Sequence, residues 1–194
     1  MPILLPPTRP LSRRDWLKRC ASAGIGLAAA DSLRAAEGGE TWILFSDTHI
    51  AADPKLEARG VCMADNLKRC VAQALNEKEK PFGVMVNGDL AYLDGQAGDY
   101  STFVDLMQPL RDAGLPVHLT LGNHDNRENF MGNCSSLDLS IIEEKKPVAQ
   151  KQVSVVSSAR IHWVLLDSLD KVNGTPGLLG EAQLAWIDRT LNAL

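Results

Sequence analysis

No run of this 194-residue chain approaches the roughly 20 consecutive apolar residues that a membrane-spanning helix needs. The sequence therefore offers no mature membrane span of that kind. Cysteine is scarce, with four in all. Cys62 and Cys70 lie eight apart on a predicted helix, roughly 12 Å along its axis, too far for a disulfide. Only a bridge to Cys134 is open to either, so at least one thiol stays free, and free buried cysteines are expected. Positive charge is scarce beyond the first 36 residues, where 14 Lys and Arg face 22 Asp and Glu, a net of −8. So acidic a body argues against nonspecific binding to nucleic acid or anionic membrane. An anionic substrate would need concentrated local positive charge, such as metal ions. Repeats and low-complexity tracts are absent apart from the Pro-rich start, and nothing marks a second domain. What is present, 45% hydrophobic and 23% charged residues, is ordinary for one domain with a core.

The amino terminus has its own character. "SRRDWLKRC" is a tight basic cluster, "ASAGIGLAAA" a short apolar run, and "DSLRAAEGGE" small and polar. That order is the layout of an export signal. Arg13-Arg14 in "SRRDWLK" resemble the twin-arginine signal, with Trp16 in its Phe place. Residues 1–36 are thus expected to be a twin-arginine-type signal peptide, with cleavage after Ala30 or near Ala36. The implied partner is the twin-arginine export machinery, and the implied location is periplasmic.

From residue 41 onward, strand and helix patterns alternate. "TWILFSD" (41–47), "PFGVMVNGD" (81–89) and "LPVHLTLGN" (115–123) are apolar, β-rich runs. Between them, 56–79 has helical spacing, with Val61, Ala64, Leu67, Val71 and Leu75 on one side. Residues 98–114 also predict a helix, capped near Asp99 or Ser101, with a possible break at Pro109 and Gly114 as terminator. A β-α-β-α-β order implies a parallel sheet with right-handed crossovers, an α/β fold. Residues 151–168 predict a hairpin turning near Ala159-Arg160, "NGTPGLLG" a loop, and 181–194 an amphipathic helix.

The three parallel strands end alike: "SDTH", "NGD" and "GNHD". Side chains just past the carboxyl ends of parallel strands converge on the ligand-binding edge of such a sheet. Asp47, His49, Asp89, Asn123 and His124 should therefore meet, although they span 78 positions. Carboxylate, amide and imidazole donors together suit Mn, Fe or Zn better than Ca. A carboxylate can bridge two ions about 3.5–4 Å apart, as in two-metal hydrolysis. Asp-x-His or Gly-Asp alone is weak; their ordered occurrence with Gly-Asn-His-Asp, each after a predicted strand, is strong.

At these residues the chain resembles the calcineurin-like metallophosphoesterase superfamily. Within it, "SDTHI", "GNHDNRENF", "WVLLDS" and "GLLGEAQLAWID" look most like the bacterial class III cyclic-nucleotide phosphodiesterases. The resemblance covers residues 41–194 and implies a β-sandwich flanked by helices. It implies metal ligation by Asp47 and His49, a bridging Asp89, and Asn123 on a second ion. His124 would face the phosphate as a proton donor or charge stabiliser, with Asp125 orienting its ring. The implied substrate is a small phosphorylated compound, a phosphodiester or phosphomonoester.

"GDLAY" also resembles the purple acid phosphatases, where the Tyr is a ligand, but those enzymes lack the His of the first motif, which here is His49. Tyr92 is therefore expected near the site and not on a metal. His118 and His162 lie inside strand patterns and are each expected to be a packed or edge histidine and not a ligand, and Trp163 and Trp186 are expected in the core. "DGQAGD" is expected to be a solvated loop and 143–146 exposed charge. The family's later lone His and Gly-His-x-His do not follow in this sequence, and the resemblance implies a C-terminally incomplete domain. The competing reading is a non-catalytic remnant or binding module.

Overall fold

The computed structural model describes residues 39–138 and 147–194. The expected signal peptide and residues 143–146 lie outside them. Strands β1 (Trp42–Ser46), β4 (Gly83–Asn87) and β5 (Val117–Thr120) form a parallel sheet in the order β1-β4-β5. Ile43 pairs with Val84, and Val84 with Val117. The fold is mixed α/β, as expected.

The pleat decides which side chains go where. Val84, Val86, Val117 and Leu119 point to one face and join the main core. Helices α1 (Met63–Leu75) and α2 (Ala97–Asp112) contribute Leu67, Val71, Phe103, Met107 and Leu110 to it. Phe103, Met107 and Leu110 are fully buried, each worth about 1.5–3 kcal/mol. On the opposite face Leu44, Met85 and His118 look across a cavity of ≈ 360 Å³ at Trp163 and Leu165. Those two belong to β7 (His162–Leu165), paired antiparallel with β6 (Ser154–Ser157). Trp163 meets Trp42 edge-on with ring centroids 5.6 Å apart. His118 and Trp163 thus pack and His162 is an exposed edge histidine beside Ser157 Oγ, each within expectation. Trp186, on α4 (Glu181–Ala193), anchors a second small core with Val148 and Val153.

Several local expectations change. Residues 57–62 are not helical: β2 (Glu57–Ala58) and β3 (Val61–Cys62) form a short hairpin. Its two turn residues, Arg59 and Gly60, have φ of 53° and 74°. That is the signature of the tight mirror-image turn that suits hairpins, and an arginine there costs about 1–2 kcal/mol. Val61 consequently leaves the helix face and is exposed, as is Leu75. Ala64, Leu67, Val71 and Ala74 are the buried set of α1. "DGQAGD" is not simply solvated. Gln96 and Asp99 form a capping box at the start of α2, and Asp99 is buried. Helix α2 passes through Pro109 to Asp112. Cys62, Cys70 and Cys134 are all free, but only Cys134 is buried.

The carboxyl-terminal half is tied to Arg127, in the segment after β5, by Asp167, which lies two residues beyond β7 and is fully buried. Its oxygens accept from Arg127 Nε and one Nη at 2.8 and 2.9 Å, from the Gln152 amide and from the Leu169 amide. Lys151 Nζ donates to the carbonyls of Asp167, Leu169 and Leu178. The Gln183 side chain brackets Asp167, accepting from its amide and donating to its carbonyl. Removing one partner of a buried pair strands the other charge. Asp167→Ala is expected to destabilise the protein by about 3–5 kcal/mol, read as a lowered urea midpoint.

Candidate metal centre

The loops after β1 and β4 stay zipped beyond the strands. Asp47, His49 and Ile50 donate their amides to the carbonyls of Gly88, Asp89 and Leu90, and Tyr92 donates back to Ile50. Thr48 Oγ1 also donates to the Leu90 carbonyl. This close zipping uses left-handed backbone at Asp47, His49 and Asp89, with φ of 54°, 46° and 48°. Such conformations cost roughly 1–3 kcal/mol each and cluster at functional sites.

Three of the expected residues converge. One donor atom each from His49, Asp89 and His124 lies within 4.8 Å of the others. His49 Nε2 is 3.9 Å from Asp89 Oδ2. The rings of His49 and His124 meet edge-on, centroids 5.2 Å apart. All three residues are half-buried. Two imidazole nitrogens and a carboxylate oxygen are a donor set that fits a borderline divalent metal. One His124 ring nitrogen therefore stands within reach of the His49 and Asp89 donor atoms.

The other two expected ligands sit differently. The exposed Asp47 carboxylate accepts from its neighbour Ser46 Oγ and stays outside the three-residue cluster. Asn123 is half-buried beside His124, its carbonyl accepting from the Asn173 amide at 2.7 Å.

Asp125 corrects an expectation. Its carboxylate does not orient the His124 ring. It is fully buried and accepts from the amides of Leu90, Ala91 and Gly122 and from the Tyr100 hydroxyl. Burial pushes its carboxyl above the usual range, while these donors pull it back. Ring orientation comes instead from the Leu93 carbonyl, which meets His124 Nδ1. A carbonyl only accepts, so Nδ1 carries a hydrogen and Nε2 is left to hold a metal or a proton. Asp89 is also held, its Oδ1 accepting from the His124 amide at 2.8 Å.

Gly122 makes this possible. A Cβ there would fall 2.2 Å from Asp89 Oδ1 and 2.4 Å from the Asp89 nitrogen. Tyr100 is the partner sequence reasoning missed: its oxygen accepts from the Asn126 amide at 2.7 Å and meets Asp125 Oδ1 at 3.1 Å. Burial and the neighbouring Asp125 charge push its hydroxyl far above the ordinary value, so it stays protonated. Arg127 was missed too. Both follow glycine-rich motifs closely, but no local pattern announces contacts made 25 and 40 positions away. Tyr92, as expected, lines a cavity beside His49 and His124.

A family model described as calcineurin-like phosphoesterase matches residues 41–176. A probable glycerophosphodiester phosphodiesterase, GpdQ, from Arcobacter nitrofigilis is 31% identical over 147 residues, 76% of this chain and 50% of its own. A 3',5'-cyclic adenosine monophosphate phosphodiesterase, CpdA, from Pseudomonas aeruginosa is 27% identical over 78% of this chain and 49% of its own. A probable cyclic nucleotide phosphodiesterase from Rhodopseudomonas palustris is 30% identical over 77% and 51%. The chain thus spans about half the length of the curated relatives it matches.

Because Asp125 holds two of the converging loops, its loss should reach the metal donors. Asp125→Asn cannot accept from every present donor and is expected to weaken Mn²⁺ binding about 10- to 100-fold. Isothermal titration of wild type and variant reads this directly.

Proposed function

The chain belongs to the calcineurin-like phosphoesterase family, and on that premise we propose that it is part of an exported, metal-dependent phosphodiesterase working through a two-metal centre. The observation that carries this reading is the convergence of His49, Asp89 and His124 at the carboxyl ends of parallel strands. The relatives' named activities on glycerophosphodiesters and cyclic nucleotides favour a small phosphodiester as substrate.

His49 and Asp89 would hold one ion, with Asp47 turning in from its present contact with Ser46. Asp89 would be shared, and Asn123 would serve the second ion. When bound, the metal supplies Lewis acidity and a water nucleophile active near neutral pH. The protein's own part is positioning and proton control. The Asp89 carboxylate is aimed by the His124 amide. His124 Nε2, its ring fixed through Nδ1, faces the space where the ester would sit and can pass a proton to the leaving oxygen. The zipped loops keep the donors from relaxing between turnovers. A single ion held by all three clustered residues is the competing geometry.

The division of roles is testable in the full-length protein with Mn²⁺ and bis(p-nitrophenyl) phosphate. Asp89→Asn is expected to lower both metal content and turnover. His124→Ala is expected to lower turnover about 10²- to 10⁴-fold, as loss of a proton-transfer group does, with metal content near normal. Equal metal loss in both would make His124 a ligand and refute its separate role. Absence of hydrolysis by the metal-loaded wild type would sink the hydrolase reading.

Export rests on "SRRDWLK" ahead of a short apolar run. That route carries folded proteins, which suits a site loaded with metal before crossing. Arg13→Lys with Arg14→Lys is expected to retain the full-length protein inside the cell; normal export of that double variant, followed by fractionation and immunoblotting, would refute it.

A further inference from the structure

Beside the metal donors lies a cavity of ≈ 360 Å³, within the size range of small-ligand sites. Its far wall comes from the β2–β3 hairpin and the start of α1: Ala58, Arg59 and Met63. Tyr92 and Leu93 complete it. Arg59 is its lining cation. The side chain is exposed and makes no hydrogen bond or ion pair among the described residues. By contrast Arg127 and Lys151 are committed to Asp167 and its neighbouring carbonyls.

Arg59 also occupies a place that turn chemistry would not choose for it. It is the first residue of a two-residue hairpin turn with φ of 53°, a position that favours Asn, Asp or Gly. Leu93, on the opposite wall, is another bulky side chain on left-handed backbone, with φ of 56°. Of the seven non-glycine residues with positive φ among the described residues, His49, Arg59 and Leu93 line this cavity and Asp89 belongs to the donor cluster beside it. Strain of this kind concentrates where a particular side chain must be presented.

We infer that Arg59 is a substrate-binding residue, and that the hairpin presents its guanidinium to the phosphoryl oxygens of an ester whose organic group rests on Ala58, Met63, Tyr92 and Leu93. The inference rests on the phosphodiesterase reading and deepens it. A guanidinium matches two phosphoryl oxygens at once, which an ammonium does not. It places positive charge where an otherwise acidic body offers an anion little attraction. The wall around it, three apolar side chains and one phenol, favours a compact organic substituent over a polymer backbone.

The test uses full-length, Mn²⁺-loaded protein, inorganic phosphate as the binding probe and bis(p-nitrophenyl) phosphate as substrate. Arg59→Ala is expected to weaken phosphate binding in isothermal titration and to raise KM, each about tenfold, the loss of one charged hydrogen-bonding partner. The kcat and metal content should hold near wild type. Arg59→Lys should recover part of the loss. Arg59→Asn should raise the thermal midpoint, because Asn suits the turn, and yet bind phosphate as poorly as Arg59→Ala. Unchanged phosphate affinity and KM in these variants, or no phosphate binding by wild type, would overturn the inference. Arg59-dependent phosphate binding without hydrolysis would support the anion site and sink the hydrolase reading; hydrolysis indifferent to Arg59 would do the reverse.

Discussion

The Asp125 carboxylate is the contact on which the rest of the site depends. A buried carboxylate loses several kcal/mol of hydration and is tolerable only when its lone pairs are taken. Here they are taken by backbone amides from two loops, Leu90 and Ala91 after β4 and Gly122 after β5, and by the Tyr100 hydroxyl. Each bond to a charged acceptor is worth about 1.5–3 kcal/mol, so the set offsets the burial only as a set. The geometric result matters more. Leu90 follows Asp89 and Gly122 precedes Asn123, so one side chain fixes the spacing of two donor-bearing loops without touching a donor.

Tight spacing has its own cost. Left-handed backbone at Asp47, His49 and Asp89 persists only because the surroundings over-determine it. The amides of Asp47, His49 and Ile50 leave no register freedom against the loop after β4. Gly122 lets the third loop approach until the His124 amide reaches Asp89 Oδ1. Strain on one side and charge-assisted hydrogen bonds on the other hold two imidazoles and a carboxylate close together before any ligand arrives. Such preorganisation is what a metal site needs to select ligand geometry.

Much of this was legible in the sequence, for identifiable reasons. Strand alternation and the "SDTH", "NGD" and "GNHD" endings are local, and parallel topology brings strand ends together. That sufficed for the sheet and for His49, Asp89 and His124. What stayed hidden was non-local or isosteric. Glu57–Cys62 runs directly into the helix that starts at Met63, and only the Arg59-Gly60 turn within it marks it as a hairpin. Asp125 stands next to His124 in sequence, which suggests a side-chain pair. Its carboxylate instead turns inward to amides 34 and 35 positions earlier. Asp47, read as a ligand from its motif, accepts from the hydroxyl of its sequence neighbour Ser46.

The Asp167 network extends the same logic outward. "WVLLDS" ends a strand in an aspartate, just as the metal motifs do, so pattern alone would place Asp167 in a site. Its oxygens exclude that: they are saturated by Arg127, Gln152 and Leu169, and the residue is fully buried. Arg127 opens helix α3 (Arg127–Asn133) three residues after His124. The loop held by Lys151 and Gln183 carries Asn173, whose amide reaches the Asn123 carbonyl. The Gly-Asn-His-Asp segment is therefore clamped at both ends, by Asp125 toward the sheet and by Arg127 and Asn173 toward the carboxyl-terminal half. Gln183 on α4 holds Asp167 by its amide and carbonyl, and the Asp167 carboxylate in turn holds Arg127. A continuous run of hydrogen bonds thus links Gln183, more than 50 positions later in the chain, to the helix that follows His124, a connection the motif alone does not contain.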